Sequence, residues 1–471
     1  MRIAKRITMR ISTRKCKALV FAAALLIAAL GINQYAQPVQ AAGSHGNAES
    51  RAAGLSAPVL ISAQNTGGGI TVKWKAVSGA SRYRIYRRYG GGGWTKLADT
   101  TKVSYSDKDV KAGVTYKYTV KCIEPSTSPY DKNGVAIRRL EAPALISLSN
   151  DGSGVTVNFK AVAGAKKYKI YRKTGSGKWT LLGSTASLSY KDKTAKTDKD
   201  YTYTVRAAAG GYQSAYKSAG ISLRIISWDP DLKYANESVI HSGQVTLYRT
   251  TKSAKKGIVV GLNAGHGTKG GNRVKVYCHP DHSPKCVTGS TAAGERKAAA
   301  VSSGTTLLDG TTEADAVLDI ALVLRTKLLA QGYDVLMIRE TKDTQVDNIA
   351  RTVFANRYAD CHVSIHYNSS AENKGAFYVS VPNVESFRNM QPVKKWWKKH
   401  DALGEDIIDG LGSAGIKLYR YRSMGIDLVQ TSYSTIPSVD VEVGDRASDH
   451  SASTVKKIAN GIAAGITDFF R

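Results

Sequence analysis

Hydrophobic and polar residues alternate at period two along "ITVKW" (70–74), "YRIYRR" (83–88) and "YKYTVKCI" (116–123), the pattern of strands with one face buried and one face wet. Glycine-rich "NTGGG", "GGGG", "DGSG" and "GSG" fall between such stretches as far as residue 226, so short strands joined by turns are predicted there. Farther along, the texture changes. The apolar runs "IVVGLN", "DVLMIR", "CHVSIHYN" and "SVDVEV" predict more deeply buried strands. Between them "TTEADAVLDIALVLRTKLLAQG" predicts a long helix, because Ala314, Val317, Leu318, Ala321, Leu324 and Leu328 recur at three- and four-residue spacing and Gly332 stands at the C-cap. Strands separated by helices predict an α/β domain over 256–471 with a largely parallel sheet flanked by helices. In that architecture functional groups gather at the carboxyl ends of the strands.

The alternating region is a duplication. "VKWKAVSGASRYRIYRRYGGGGWTKL" aligns without gaps on "VNFKAVAGAKKYKIYRKTGSGKWTLL", pairing Trp74 with Phe159, Tyr86 with Tyr171, Trp94 with Trp179 and Tyr116 with Tyr201. A period this long means tandem domains rather than a solenoid, and two β-sandwiches over 57–140 and 141–226 are expected. The stretch 227–255 reads as a linker. The strand and tyrosine pattern resembles fibronectin type III repeats, with Trp74 at the early-strand aromatic position and "AGVTYKYTV" or "TDKDYTYTV" near the tyrosine position.

At the other end of the chain, seven Lys or Arg lie between Arg2 and Lys17, "ALVFAAALLIAAL" follows, and "VQA" ends at Ala41. That order predicts a signal peptide over 1–41, a linker over 42–56 and a secreted or wall-associated protein. Thirteen apolar residues fall short of the roughly 20 that cross a bilayer, so no stable membrane span is expected after cleavage.

Four cysteines remain beyond the predicted signal, Cys122, Cys278, Cys286 and Cys361, too few for a disulfide framework in a chain this long. Cys122 aligns with Ala207 in the second repeat, which predicts an unpaired buried thiol. The net charge of +30 is uneven: residues 57–226 hold 29 Lys or Arg against 10 Asp or Glu. Outside a membrane such a surface suits an anionic wall polymer better than nucleic acid, although solubility alone is the other reading. Outward-facing basic residues alternating with rings fit carbohydrate or wall polymer, and equally a solvated spacer.

Candidate chemistry lies in the C-terminal part. His266 follows one predicted strand, His366 closes another, and Glu313 opens the helix between them. Two histidines and a carboxylate on three elements match a zinc site with one position open for water. Taken singly, a strand-end histidine can be structural, and a first-turn glutamate can serve the helix dipole.

"GLNAGHG", "TEADAVLDIALVLRTKLLAQGYDVLMIRET", "IARTVFANRYADCHVSIHYNSS" and "PSVDVEVG" stand in an order that resembles the zinc-dependent N-acetylmuramoyl-L-alanine amidases, cell-wall enzymes with an α/β catalytic domain. The resemblance implies one zinc ion held by His266, Glu313 and His366, with Glu442 as the catalytic carboxylate, and peptidoglycan as substrate. Asp440, two residues before Glu442 on the same strand face, is expected to raise the Glu442 pKa by like-charge repulsion. His362 faces the same side as His366 but about 13 Å away, too far to share an ion, and reads as a buried or second-site histidine.

Departures from the family pattern are marked. "PGHGG" is replaced by "AGHGT", the "GF" after the glutamate becomes "GDRASDH", and 268–312 is an insertion. Cys278 and Cys286 there would close a disulfide or, with His279 or His282, bind a second metal. The insertion is expected to overhang the cleft. "QPVKKWWKKH" (391–400) would contact acidic polymer or glycan, or cover a helix surface. The expected function is hydrolysis of the bond between muramic acid and L-alanine. A zinc peptidase acting on the stem peptide and a non-catalytic wall-binding or adhesion protein are the alternatives.

Overall fold

A computed structural model describes residues 54–471, so the predicted signal peptide and most of the 42–56 linker lie outside the described residues. In the first repeat β1 (Leu60–Thr66), β2 (Gly69–Trp74), β3 (Arg82–Tyr89), β4 (Thr95–Thr100), β5 (Ser104–Asp107), β6 (Thr115–Glu124) and β7 (Val135–Arg138) form two sheets, ordered β1-β2-β5 and β4-β3-β6-β7. Ile70, Val72 and Trp74 from one sheet meet Tyr83, Ile85, Tyr118 and Val120 from the other in a single core, as period-two alternation requires. Cys122 is a free thiol in that core.

The second repeat copies this with β8 (Leu145–Asn150), β9 (Val155–Phe159), β10 (Lys167–Thr174), β11 (Thr180–Thr185), β12 (Ser189–Asp192), β13 (Lys199–Ala209), the short β14 (Tyr212–Gln213) and β15 (Ile221–Ile226). A buried ion pair is copied too. Arg87 Nη1 donates to Asp107 Oδ2 at 2.9 Å and Arg172 Nη1 to Asp192 Oδ2 at 2.6 Å, while Tyr118 and Tyr203 each donate a hydroxyl to the same oxygen at 2.8 Å.

The C-terminal domain adds β16 (Val245–Arg249), β17 (Val259–Ala264), β18 (Lys275–Tyr277), β19 (Lys297–Ala299), α1 (Glu313–Gln331), β20 (Asp334–Met337), α2 (Asn348–Tyr358), β21 (Cys361–Asn368), β22 (Ala376–Ser380), α3 (Glu385–Asn389), α4 (Val393–Ser413), β23 (Leu418–Gly425), α5 (Val429–Tyr433), β24 (Ser438–Asp445) and α6 (Ala452–Phe469). Strands β20, β17, β21 and β24 are mutually parallel, whereas β16 and β22 flank them antiparallel. Helix α1 starts at Thr312, whose side chain accepts from Asp315 N, and stops at Gly332 with φ 96°. It packs against both the sheet and α6, so Ala316 and Ile320 are buried beside the stripe read from the sequence. Among the described residues no helix is long and apolar enough to cross a membrane.

The stretch read as a linker is part of the fold. Strand β16, within 227–255, pairs with β15 on one side and β20 on the other, so one sheet runs from the second repeat into the C-terminal domain. "VTLYR" is short and lies beyond a turn-rich stretch, which hides its periodicity. At the seam Tyr248 donates its hydroxyl to Glu340 Oε2 at 2.5 Å and accepts from Asn150 N at 3.2 Å, and Arg325 Nη1 donates to the same Glu340 oxygen at 3.0 Å.

Two predictions follow from these contacts. Burial alone would raise the Asp192 pKa, but hydrogen bonds from Thr194 and Tyr203 and the charge of Arg172 outweigh it and hold the carboxyl below its ordinary value. Because the folded pKa is the lower one, the stabilisation is complete above the unfolded value of about 4 and is lost as pH falls through the folded value. Asp192→Asn should therefore cost about 3 kcal/mol at pH 7, and the gap from wild type in urea unfolding should shrink below about pH 4. Second, a fragment beginning at 227 exposes the β16 edge. It should melt about 10 °C below a fragment beginning at 141, the equivalent of roughly 3 kcal/mol; equal melting temperatures would mean that the seam contributes nothing.

Candidate metal centre

Strand β17 ends at Ala264, and the chain turns through Gly265, His266 and Gly267. His266 has φ 62° and Gly267 φ 70°, the left-handed region that strains a residue with a side chain. Buried arginines hold this turn. Arg339 donates from Nε to Ala264 O at 2.9 Å and from Nη2 to Gly265 O at 2.8 Å, and Arg351 Nη2 donates to His266 O. Each is 1 % exposed. Burial lowers both guanidinium pKa values, to about 10 for Arg339 and, with repulsion from Arg339 added, to about 9 for Arg351. Nothing in the strand and helix periodicity marked either residue as a support of the site.

The turn carries His266 to the end of α1 and the edge of β21. His266 Nε2 lies 2.7 Å from Glu313 Oε1 and 3.0 Å from His366 Nδ1, and His366 Nδ1 lies 3.1 Å from Glu313 Oε1. All three predicted ligands therefore converge, although they start 47 and 53 residues apart along the chain. The other atoms of each are pinned. His266 Nδ1 faces Ser302 O at 2.9 Å, Thr305 N donates to Glu313 Oε2 at 2.8 Å, and Tyr367 N donates to Glu313 Oε1 at 3.0 Å. Space is tight: a Cβ on Gly265 would come within 2.2 Å of the His366 ring, and one on Gly304 within 2.8 Å of the His266 ring.

Strand β24 brings two more acids to the same face. In the parallel register His366 pairs with Glu442 and Ser364 with Asp440, and successive side chains alternate faces, so these four point one way. Asp440 Oδ2 lies 3.5 Å from His366 Nε2. Burial would lower the His366 pKa, but Asp440 and Glu313 raise it to about 9. Burial would also raise Glu313, yet the two imidazoles hold it well below the carboxylate range. Glu442 is pushed well above that range, first by removal from water and second by Asp440. The repulsion expected from the strand spacing is thus the smaller of two causes. Three carboxylates face two imidazoles, and Asp440 Oδ1 and Glu442 Oε2 are buried without a hydrogen-bond partner. That donor set, with separations near the roughly 3.3 Å edge of a tetrahedral zinc shell, fits a divalent cation. His362 lies deeper on the same strand, fully buried, with Nδ1 3.3 Å from Ser438 Oγ.

A cleft of about 600 Å³ opens over the cluster, and the 268–312 insertion forms one wall through Lys275, Cys278, Lys285 and Val301. Both readings of its cysteines need correction. Cys278 and Cys286 are free. Cys278 Sγ donates to Glu295 O, His279 bonds to Asp427 and Ser283, and His282 pairs with Glu237 at 3.0 Å. The loop is organised around a carboxylate instead: Asp427 Oδ2 accepts from His279 Nε2 at 3.0 Å and Cys286 N at 2.6 Å, and Oδ1 from Lys285 Nζ at 3.1 Å and Val287 N at 3.0 Å. Asp427 lies 141 residues from Cys286, and no local pattern announced it. In "QPVKKWWKKH", Trp397 packs on the Val381–Phe387 cluster beneath Arg388, so part of this motif covers a helix surface.

Exoglucanase B of Cellulomonas fimi is 26% identical over 226 residues, 40% of this chain and 20% of its own length. Poly(3-hydroxybutyrate) depolymerase of Ralstonia pickettii is 31% identical over 88 residues, 19% of this chain and 16% of its own. The chain thus spans a fifth or less of the curated relatives it matches. The crystal structure of the N-acetylmuramyl-L-alanine amidase Ami1 from Mycobacterium smegmatis aligns at 21% identity with a TM-score of 0.37, covering 45% of this chain and 96% of that one. Residues 260–468, which contain His266, Glu313, His366, Asp440 and Glu442, match the family described as N-acetylmuramoyl-L-alanine amidase.

Proposed function

We propose that the chain is a secreted, zinc-dependent peptidoglycan hydrolase that cuts the amide between N-acetylmuramic acid and the L-alanine of the stem peptide. In this reading two fibronectin type III-like repeats, 57–140 and 141–226, precede the catalytic domain over 256–471. The predicted signal peptide over 1–41 is what supports export. The observation that carries the enzymatic reading is the convergence of His266, Glu313 and His366 beside an open cleft.

His266 Nε2, Glu313 Oε1 and His366 Nδ1 would hold the zinc ion. A zinc ion bound there supplies Lewis acidity, lowering the pKa of a water and polarising the scissile carbonyl. The remaining work belongs to side chains. Ser302 O receives the His266 Nδ1 proton, which leaves Nε2 free as a ligand, and Asp440 orients His366 in the same way from its Nε2 side. Glu442, buried beside the cluster with one oxygen free of any protein donor, takes the proton of the attacking water and passes it to the departing alanine nitrogen. That amine is a poor leaving group until protonated.

The test is digestion of purified peptidoglycan followed by identification of new termini. Free L-alanine amines on released stems are expected. New ends at a D-amino acid would indicate a stem-peptide zinc peptidase, and binding without cleavage a non-catalytic wall-binding protein. Glu442→Gln should lower kcat by at least about 10³-fold, in the range of a lost general base, while zinc content stays near one per chain; an active zinc-replete variant would remove Glu442 from its role. Gly265→Ala should displace the His366 ring and weaken zinc binding about 10- to 100-fold, the usual cost of disturbing a ligand's support. Competition with a chelator measures that directly, and unchanged zinc affinity would contradict the packing.

A further inference from the structure

The outward faces of the two repeats carry one arrangement twice. Along β3, Tyr83 and Ile85 point into the core, so Arg84, Tyr86 and Arg88 face away from it; β10 does the same with Lys169, Tyr171 and Lys173, and the burial patterns of the two strands are identical residue by residue. Arg88 lies over the Trp94 ring at 4.6 Å, and Lys173 over the Trp179 ring at 5.2 Å. From the neighbouring strand Lys121 reaches the Tyr86 ring at 5.8 Å, and Arg206 the Tyr171 ring at 5.9 Å. Arginine and lysine exchange places at both positions, yet a cation stays beside each ring. Each tryptophan is also seated on a glycine with φ 61°. A Cβ on Gly134 would stand 2.9 Å from Trp94, and one on Gly220 3.3 Å from Trp179.

These cations differ from their neighbours. Arg87 and Arg172, one residue from the outward row, are paired with Asp107 and Asp192, and Arg84, within that row in the first repeat, is paired with Asp99. Among the described residues no carboxylate lies in ion-pair reach of Arg88, Lys121, Lys173 or Arg206. Two equivalent faces that hold rings in place and leave the adjoining charges unpaired suit a ligand with flat apolar faces and repeated negative groups.

We propose that the outer faces of β3–β6 and β10–β13 are two copies of one binding site for an acidic wall polymer, an extended polyanion whose sugar or polyol units stack on the rings while its phosphates or carboxylates meet the cations. Polyanion binding stands on the geometry alone. The choice of a wall polymer rests on the amidase reading. Two sites on one chain would let a long polymer engage both, so that affinity multiplies rather than adds.

The experiment uses the full chain, co-sedimented over a salt series with wall sacculi before and after extraction of their phosphodiester and uronate polymers. Arg88→Gln/Lys121→Gln and Lys173→Gln/Arg206→Gln should each lower affinity for unextracted walls about tenfold, and the four together more than about 100-fold with a shallower salt dependence. Trp94→Ala/Trp179→Ala should weaken binding without flattening the salt dependence. Unchanged melting temperatures establish that the variants fold, and cleavage of a small soluble muropeptide should match wild type in every case, which separates this test from that of the amidase reading. Equal binding to extracted and unextracted walls, or a quadruple variant that binds as wild type does, would overturn the site. Tighter binding to single-stranded DNA than to the extracted polymer would overturn the ligand class.

Discussion

The carboxylate of Glu313, held out of water with one oxygen 2.7 Å from His266 and 3.1 Å from His366, sets the terms for the C-terminal half of the molecule. An ionised carboxylate in that position is tolerable only with positive charge close by. Asp440 and Glu442, brought to the same face by β24, add to the demand. The supports behind the cluster follow from it. A strained His266 turn needs Arg339 and Arg351 on its carbonyls, Gly265 must lack a side chain to admit His366, and Gly304 must lack one to admit His266.

Other buried acids in the domain are satisfied differently. Asp347 accepts from Val239 N, Ile240 N and Ala350 N, Asp445 from Lys374 N and Gly375 N, and Asp427 from Cys286 N and Val287 N. Each ties a loop down through backbone amides and is satisfied. Asp440 and Glu442 each keep an oxygen with no protein donor, on the wall of a cleft. Within one domain, the acids that hold loops through backbone amides differ in this way from the two that line the cleft.

The seam between β15 and β16 joins this domain to the second repeat through a continuous sheet and a shared core containing Val205, Tyr248 and Leu262. The second repeat is therefore joined to this domain by hydrogen-bonded strands. The inner polar residues of both repeats follow the same accounting: Asp107 and Asp192 are closed off by Arg and Tyr, while Arg88, Lys121, Lys173 and Arg206 have no carboxylate partner among the described residues. The positive charge of the middle of the chain thus includes paired arginines, Arg84, Arg87 and Arg172, and cations set beside outward rings.

Periodicity is local, and what it encodes was readable from the chain. Alternation at period two marked the strands of both repeats, the 85-residue offset marked their equivalence, and the three- and four-residue spacing with Gly332 marked α1. Strand ends also pointed to His266 and His366, because functional groups collect there. The rest depended on contacts that no short window contains. Asp427 organises the insertion from 141 residues away, Arg339 and Arg351 reach back to a turn more than 70 residues earlier, and β16 becomes a strand through partners on either side. The disulfide inferred for Cys278 and Cys286 failed for that reason. Spacing says which side chains can meet, whereas their partners are chosen by the competition of buried donors and acceptors, which exists only once the chain has folded.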